Sequence, residues 1–402
     1  MAVKEHMNGR ERIIAALNRE PTDGVPFDIG GTNVTSLNVR AHNKLEAHLG
    51  IESPTSYGNY RSQRTQMSES LSRFLGSDVR RVHVPYPTPL PEEVTKPIQV
   101  DEWGVEWRQA DSGLYYVRSS PLADAATTTD LETFDWPDSA DLVSVEEVAE
   151  AARALRQKTD CAISLDLPNG IVHLTQYLRG FEQWLIDSAM DLSFFDTLLE
   201  RVTEIYIETI RPLLTAVGDT IDLVTFCDDI AMQSGPFVDP RVYRRCIKPR
   251  HARILRAIRQ TSDAGVMFHS CGSVAWVLPD LIDMGIDAIN PVQVSAADMD
   301  TRSLKREFGD HICFWGGIDT QRVLPFGTPE EVEEEVRRRI EDLAPGGGYV
   351  IASVHVIQQE VPPENILAMA RAAHIYGGRS DGSRFLPYVD GDGSGATQPS
   401  DR

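Results

Sequence analysis

Val266-Met267-Phe268-His269-Ser270-Cys271-Gly272-Ser273 reads as a buried strand that runs straight into a helix. The run from Gly265 to Phe268 is apolar, and Gly272 and Ser273 can turn the chain and cap a helix starting near Val274. An imidazole and a thiol two residues apart at a strand exit can share one metal ion, with the helix N-terminus favouring the thiolate. Zinc suits donors of this softness. The competing reading is a core cysteine beside a solvent-facing histidine, so the rest of the chain has to decide.

The same strand-then-helix unit recurs on both sides. Buried strands are expected at residues 161–165, 221–226, 265–268, 288–290, 312–315 and 349–352. Helical patterns follow at 174–189 with 194–214, then 240–259, 274–284, 303–307, 329–343 and 363–375. Two earlier strands, 27–29 and 79–84, bring the count to eight. Alternation of this kind predicts an α/β protein with a parallel sheet, and eight units favour a single closed (β/α)8 TIM barrel. Residues 103–117 alternate in polarity around Gly104 and Gly113 and predict an inserted β-hairpin. The barrel is expected over residues 1–376. Residues 377–402, with Asp390-Gly391-Asp392-Gly393-Ser394-Gly395, have too few apolar side chains to pack and are expected to be a disordered tail.

Composition narrows the partners. The 402 residues carry a net charge of −21, which disfavours nucleic acid and anionic membranes. No apolar run is long enough to span a bilayer, and Met1 to Arg19 is polar, so a cytoplasmic protein is expected. The five cysteines are an odd number spread widely, which suits reduced thiols. Cys227, Cys246 and Cys313 sit in apolar patterns and read as core thiols.

In a barrel the chemistry lies at the carboxyl ends of the strands. Those ends carry Asp28 and Asn33, His83, Asp166 and Asn169, Asp228 and Asp229, His269 and Cys271, Asn290 and Gln293, Asp319, and His355 and Gln358. Such density at one rim predicts a polar pocket. His355, after the eighth strand, is the best third metal ligand, unless it is only a strand-end histidine bonded to a neighbour. Asp228 and Asp229 are paired carboxylates, one able to cap a loop while the other faces substrate. With Gln293 they are the candidate catalytic groups. Asn33, His83, Asp166, Asn290 and Gln358 are candidates for binding substrate.

These residues resemble the uroporphyrinogen decarboxylase superfamily, and more closely its methyltransferase branch. The resemblance runs from Arg10 to Tyr376. It is carried by Arg10-Glu11-Arg12 through Arg19-Glu20-Pro21-Thr22-Asp23, by Phe226-Cys227-Asp228-Asp229 with Gly235-Pro236, and by Tyr243 with Ile247-Lys248-Pro249. His269-Ser270-Cys271-Gly272, Trp315-Gly316-Gly317-Ile318-Asp319 and Val361-Pro362-Pro363-Glu364-Asn365-Ile366 complete it. It implies a (β/α)8 barrel. The methyltransferase branch carries a His-x-Cys ligand pair, matched by His269 and Cys271, and usually a cysteine after the eighth strand, where this chain has His355. The true decarboxylases carry an Arg-Gln-Ala-Gly-Arg segment that holds substrate carboxylates, where this chain has Asp28-Ile29-Gly30-Gly31-Thr32.

The resemblance therefore implies a zinc-dependent methyltransferase moving a methyl group between a small O-, S- or N-methyl compound and a corrinoid protein or tetrahydrofolate. The chain lacks an Asp-x-His-x-x-Gly corrinoid motif, so a corrinoid would arrive on a separate protein. A homodimer stays open as the assembly. The sparse basic residues at the strand ends suggest a neutral or cationic methyl donor. The alternatives are a metal-free decarboxylase acting on a porphyrinogen or smaller acid and a non-catalytic ligand-binding barrel.

Overall fold

The computed structural model describes residues 6–85, 90–380 and 382–385. Seven parallel strands form one sheet in the order Tyr349–Ser353, Cys313–Ile318, Ala288–Asn290, Gly265–His269, Leu223–Cys227, Ala162–Asp166 and Val79–Arg81. Five lie within one or two residues of the run expected from sequence; Cys313–Ile318 extends three residues beyond its expected end and Val79–Arg81 stops three short. The central strands are buried throughout, as parallel strands covered by helices must be.

The eighth strand, expected at 27–29, is reduced to a bridge. Phe27 pairs in parallel with Ile351, and Asp28 N–H donates to Ile351 O at 2.8 Å. On the other side Asp78 N–H donates to Phe27 O at 2.8 Å, so this short stretch joins the two edges of the sheet and closes the ring. Pairing stops there because the chain turns at once. Gly30 has φ of 76°, and the Asp28 carboxylate accepts from Gly31 N–H and from the Thr35 hydroxyl.

The helical pattern expected at 174–189 is two helices, Ile171–Arg179 and Phe181–Met190. Gly180, with φ of 84°, breaks the ladder between them. The expected hairpin at 103–117 is larger, a three-stranded antiparallel meander of Ile98–Val100, Glu106–Gln109 and Tyr115–Ser119. Arg179 ties the chain that leaves it to the barrel helices. Its guanidinium donates to Leu122, Ala123 and Ala125 carbonyls, pairs with Asp187 at 2.6 Å and lies over the Phe194 ring.

Most of the stretch expected to be a disordered tail, including Asp390 to Gly395, falls outside the described residues. Within its described part, Arg379 pairs with Asp78 at 2.9 Å and Phe385 is buried against Phe74. No helix of the described residues is long and apolar enough to cross a membrane.

Asp28 also accepts from Trp315 Nε1–H at 2.9 Å, so one buried carboxylate links the closing stretch to the second strand over, beyond Tyr349–Ser353. Burial raises this carboxyl to about 6, against the hydrogen bonds from Thr35, Trp315 and Gly31 that pull it down. The folded protein thus holds the proton longer than the unfolded chain, whose aspartate releases it near pH ~4. The stabilising contribution is complete below about pH 4 and is lost as pH rises through the folded value of about 6. In urea titrations across this window, Asp28→Asn is expected to gain stability relative to the wild type as pH rises, with a flat difference beyond it. A difference independent of pH would contradict the assignment.

Candidate metal centre and its cavity

The parallel register brings the strand ends level. His269 lies opposite Cys227 on one side and Asn290 on the other. Asn290 Oδ1 sits 2.5 Å from His269 Nδ1, and its amide donates to Trp315 O at 3.1 Å. With Asn290 oriented by that carbonyl, Oδ1 accepts from Nδ1–H, which leaves Nε2 bare. Nε2 points to Cys271 Sγ, 3.6 Å away. His355 completes the set, its ring centroid 5.6 Å from that of His269. Ligand atoms of His269, Cys271 and His355 all lie within 4.8 Å of one another, the one such group of three among the described residues.

The turn between the two ligands is held tightly. Gly272 has φ of 95° and lies against the backbone of Met232, where a side chain would not fit. Gly272 N–H donates to Gln293 Oε1 at 2.6 Å, and Cys271 N–H donates to Asp229 Oδ1 at 2.8 Å. Gln293 and Asp229 therefore fix the loop that carries the thiol.

Asp228 and Asp229 divide as adjacent side chains on extended backbone do, to opposite sides. Asp228 is fully buried and accepts from Val172 and His173 N–H at 3.0 Å, capping the helix Ile171–Arg179 from the end of the neighbouring strand. It also bonds His251 Nε2 at 2.8 Å. Asp229 faces the cavity, with Oδ2 3.6 Å from His173 Nε2 and Oδ1 3.9 Å from His269 Nε2.

The electrostatics suit a cation. Burial pushes His355 down to about 3, helped by Arg64 and His269, and burial also lowers His269. Burial and the Asp229 charge hold the Cys271 thiol well above its ordinary value. Two neutral imidazoles and a thiol that needs a positive neighbour to ionise match the nitrogen and sulfur donors of zinc. Burial would raise Asp229, yet His173 and His269 and the Cys271 amide hold it below the usual carboxylate range. His173, though burial opposes it, is raised well above its ordinary value by Asp228 and Asp229.

The ligands open into a cavity of about 380 Å³ that is also lined by Asn33, Asn169, His173 and Cys227. Its outer wall comes from two inserts: Arg61 and Arg64 from a two-stranded ribbon, and Trp107, Tyr115 and Tyr116 from the meander. Trp107 packs edge-on against Tyr177 at 5.1 Å, and Arg61 lies over its indole. A separate cavity of about 460 Å³ at the opposite barrel end contains Arg10 and Asp222, which pair with each other at 2.7 Å.

Of the residues expected from sequence, His269, His355, Asp229, Asn33 and Asn169 line the cavity, and Cys271 stands beside it with its Sγ 3.6 Å from His269 Nε2. Asn290, Gln293 and Asp228 stand behind it, holding others in place. Asp166 accepts from Asn33 N–H at 3.1 Å and pairs with Arg81. His83 and Gln358 are not among the lining residues, and Asp319 caps the turn at Gln321. Cys227, expected in the core, reaches the cavity wall. Arg64, His173, Tyr177 and the meander aromatics were not legible from strand ends.

Residues 108–376 match the family model described as uroporphyrinogen decarboxylase (URO-D). The chain belongs to the uroporphyrinogen decarboxylase family. Within this family, the chain is 35% identical over 72 residues to the uroporphyrinogen decarboxylase of Pseudoalteromonas translucida strain TAC 125, covering 18% of this chain and 20% of that protein. The first curated relatives are thus matched over about a fifth of their length. A longer match, 22% identical over 246 residues, covers 61% of this chain and 62% of the methylated-thiol–coenzyme M methyltransferase of Methanosarcina mazei. A solved methyltransferase from Methanosarcina mazei superposes with a TM-score of 0.63 at 19% identity, covering 92% of this chain and 99% of that one. The likeness establishes the barrel fold. The named members of the family are enzymes, both methyltransferases and decarboxylases.

Asn290 orients His269 without touching the cavity. Asn290→Ala is expected to weaken zinc binding by about 10- to 100-fold while the circular dichroism spectrum stays native. Competition against a chromophoric chelator measures this, and unchanged affinity would remove Asn290 from the role.

Proposed function

We propose that the protein is a zinc-dependent methyltransferase that moves a methyl group between a small methylated molecule and a corrinoid protein or tetrahydrofolate. The observation that carries this reading is the convergence of His269, Cys271 and His355 at the carboxyl-terminal mouth of the barrel. Three soft donors with a cavity beside them suit a catalytic ion better than a structural one, which is normally closed by four protein ligands. Zinc held there supplies Lewis acidity to a sulfur, nitrogen or oxygen atom of the substrate.

The chain's own groups do the rest. Asn290 keeps the His269 Nε2 lone pair directed at the ligand position. Asp229, kept ionised between His173 and the Cys271 amide, orients the substrate's polar hydrogens. His173, flanked by Asp228 and Asp229, can give a proton to a departing heteroatom or hold one there. Trp107 and Tyr177 exclude water from the mouth.

One zinc per chain is expected after metal-replete expression. Cys271→Ala is expected to lose zinc and methyl transfer with little change in melting temperature, because the core does not depend on a metal. Global unfolding of that variant would indicate a structural ion, and a wild type without stoichiometric zinc would refute the reading.

The decarboxylases among the relatives favour a second reading, a carboxy-lyase in which Asp229 stabilises a protonated intermediate. A porphyrinogen carries many carboxylates, each of which needs a partner once desolvated. The cavity lining offers two arginines, Arg61 and Arg64. Anaerobic incubation with uroporphyrinogen is therefore expected to yield no partially decarboxylated products, and efficient conversion would return the chain to that reaction.

A further inference from the structure

Most charges around the cavity have partners of opposite sign close by. Arg61 lies 3.7 Å from Asp101, Arg81 lies 3.4 Å from Asp166, and His173 lies between Asp228 and Asp229 at 3.4 and 3.6 Å. Among the described residues, the Arg64 guanidinium has no carboxylate within ion-pair distance and makes no hydrogen bond.

Its position is set by its backbone. The strand Arg64–Thr65 pairs with Tyr57–Asn59, and Asn38 bridges to Arg64. Thr65 N–H donates to Leu37 O at 2.9 Å, which fastens the ribbon to the barrel rim. From there the side chain lines the same cavity as His269, His355, Asp229 and Cys227. Its charge is felt at His269, Cys271 and His355 and helps lower the two imidazoles. Such a guanidinium, half-buried and unpaired, is a strong site for an anion, because five fixed donors and a full charge are left to the ligand.

We propose that the substrate of this centre carries one anionic group, a carboxylate or sulfonate, which Arg64 binds while the heteroatom of the methyl group points at His269, Cys271 and His355. The proposal rests on the methyltransferase reading of that site and narrows its substrate class. It replaces the neutral or cationic donor expected from strand ends alone, because Arg64 arrives on an insert. A single free guanidinium matches a single negative charge.

The test uses the zinc-loaded full chain and three probes: methylthiopropionate, its primary amide and methylthiopropanesulfonate. Binding is read by calorimetry and by fluorescence of Trp107 and its neighbours. The wild type is expected to prefer at least one acid over the amide by about tenfold or more, the relative strength of the two acids telling carboxylate from sulfonate. Arg64→Gln is expected to erase that preference with zinc content unchanged, and Arg64→Lys to keep part of it. Failure of the wild type to prefer either acid, or a preference surviving in Arg64→Gln, overturns the proposal. An Arg64-dependent preference in a protein that takes up no stoichiometric zinc supports the anion site while counting against metal-centred methyl transfer, so the two readings fail separately.

Discussion

Parallel pairing is the constraint on which everything else depends. When strands run the same way, their carboxyl ends meet at one face, and residues far apart in the chain become neighbours at the same height. His269 lies level with Cys227 and Asn290 for no reason other than hydrogen-bond register between three strands. A slip of one residue would turn His269 to the helix side and expose its neighbours' wrong faces. The buried carboxylate of Asp28, reaching Trp315 two strands away, holds the closing stretch where register alone is weakest.

Behind His269, Cys271 and His355 stands a layer of groups whose work is orientation. Asn290 acts on His269, Gln293 on Gly272, and Asp228 on the helix that carries His173. Each is buried and bonded to backbone or to an imidazole, so its loss would leave a polar partner unmet in a region without water. The neighbouring aspartates show how little separates the two kinds of role. One faces inward to the frame and the other outward to the cavity because extended backbone alternates its side chains.

The barrel was legible because its signals are local. An apolar run of three to six residues, a polar strand end and a capped helix recur along the chain, and the His269-Ser270-Cys271 spacing survives without knowledge of the fold. His355 was also within reach, since it follows the last strand directly. Arg64, Trp107 and Tyr177 were not. Their placement depends on how two inserts fold over the mouth, a matter of long-range packing that no spacing encodes. His173 lies in Ile171-Val172-His173-Leu174, an ordinary amphipathic pattern, and the one signal that could have found it is its place in the first turn of a helix after Gly170. The strand at 27–29 was overextended because the turn made by Gly30 and the Asp28 side chain is tertiary in origin.

The meander of Ile98–Val100, Glu106–Gln109 and Tyr115–Ser119 lends the cavity its aromatic wall yet contributes no ligand to the metal group. It is held by Arg61, which bonds Gln99, pairs with Asp101 and accepts from Tyr115 N–H, by Trp107 against Tyr177, and just beyond its last strand by Arg179. Architecturally the barrel is a hearth and the meander its screen. Grafting a different loop onto this position would alter which molecules reach the fire while leaving the grate untouched, which makes the insert the natural handle for changing which compounds the cavity admits.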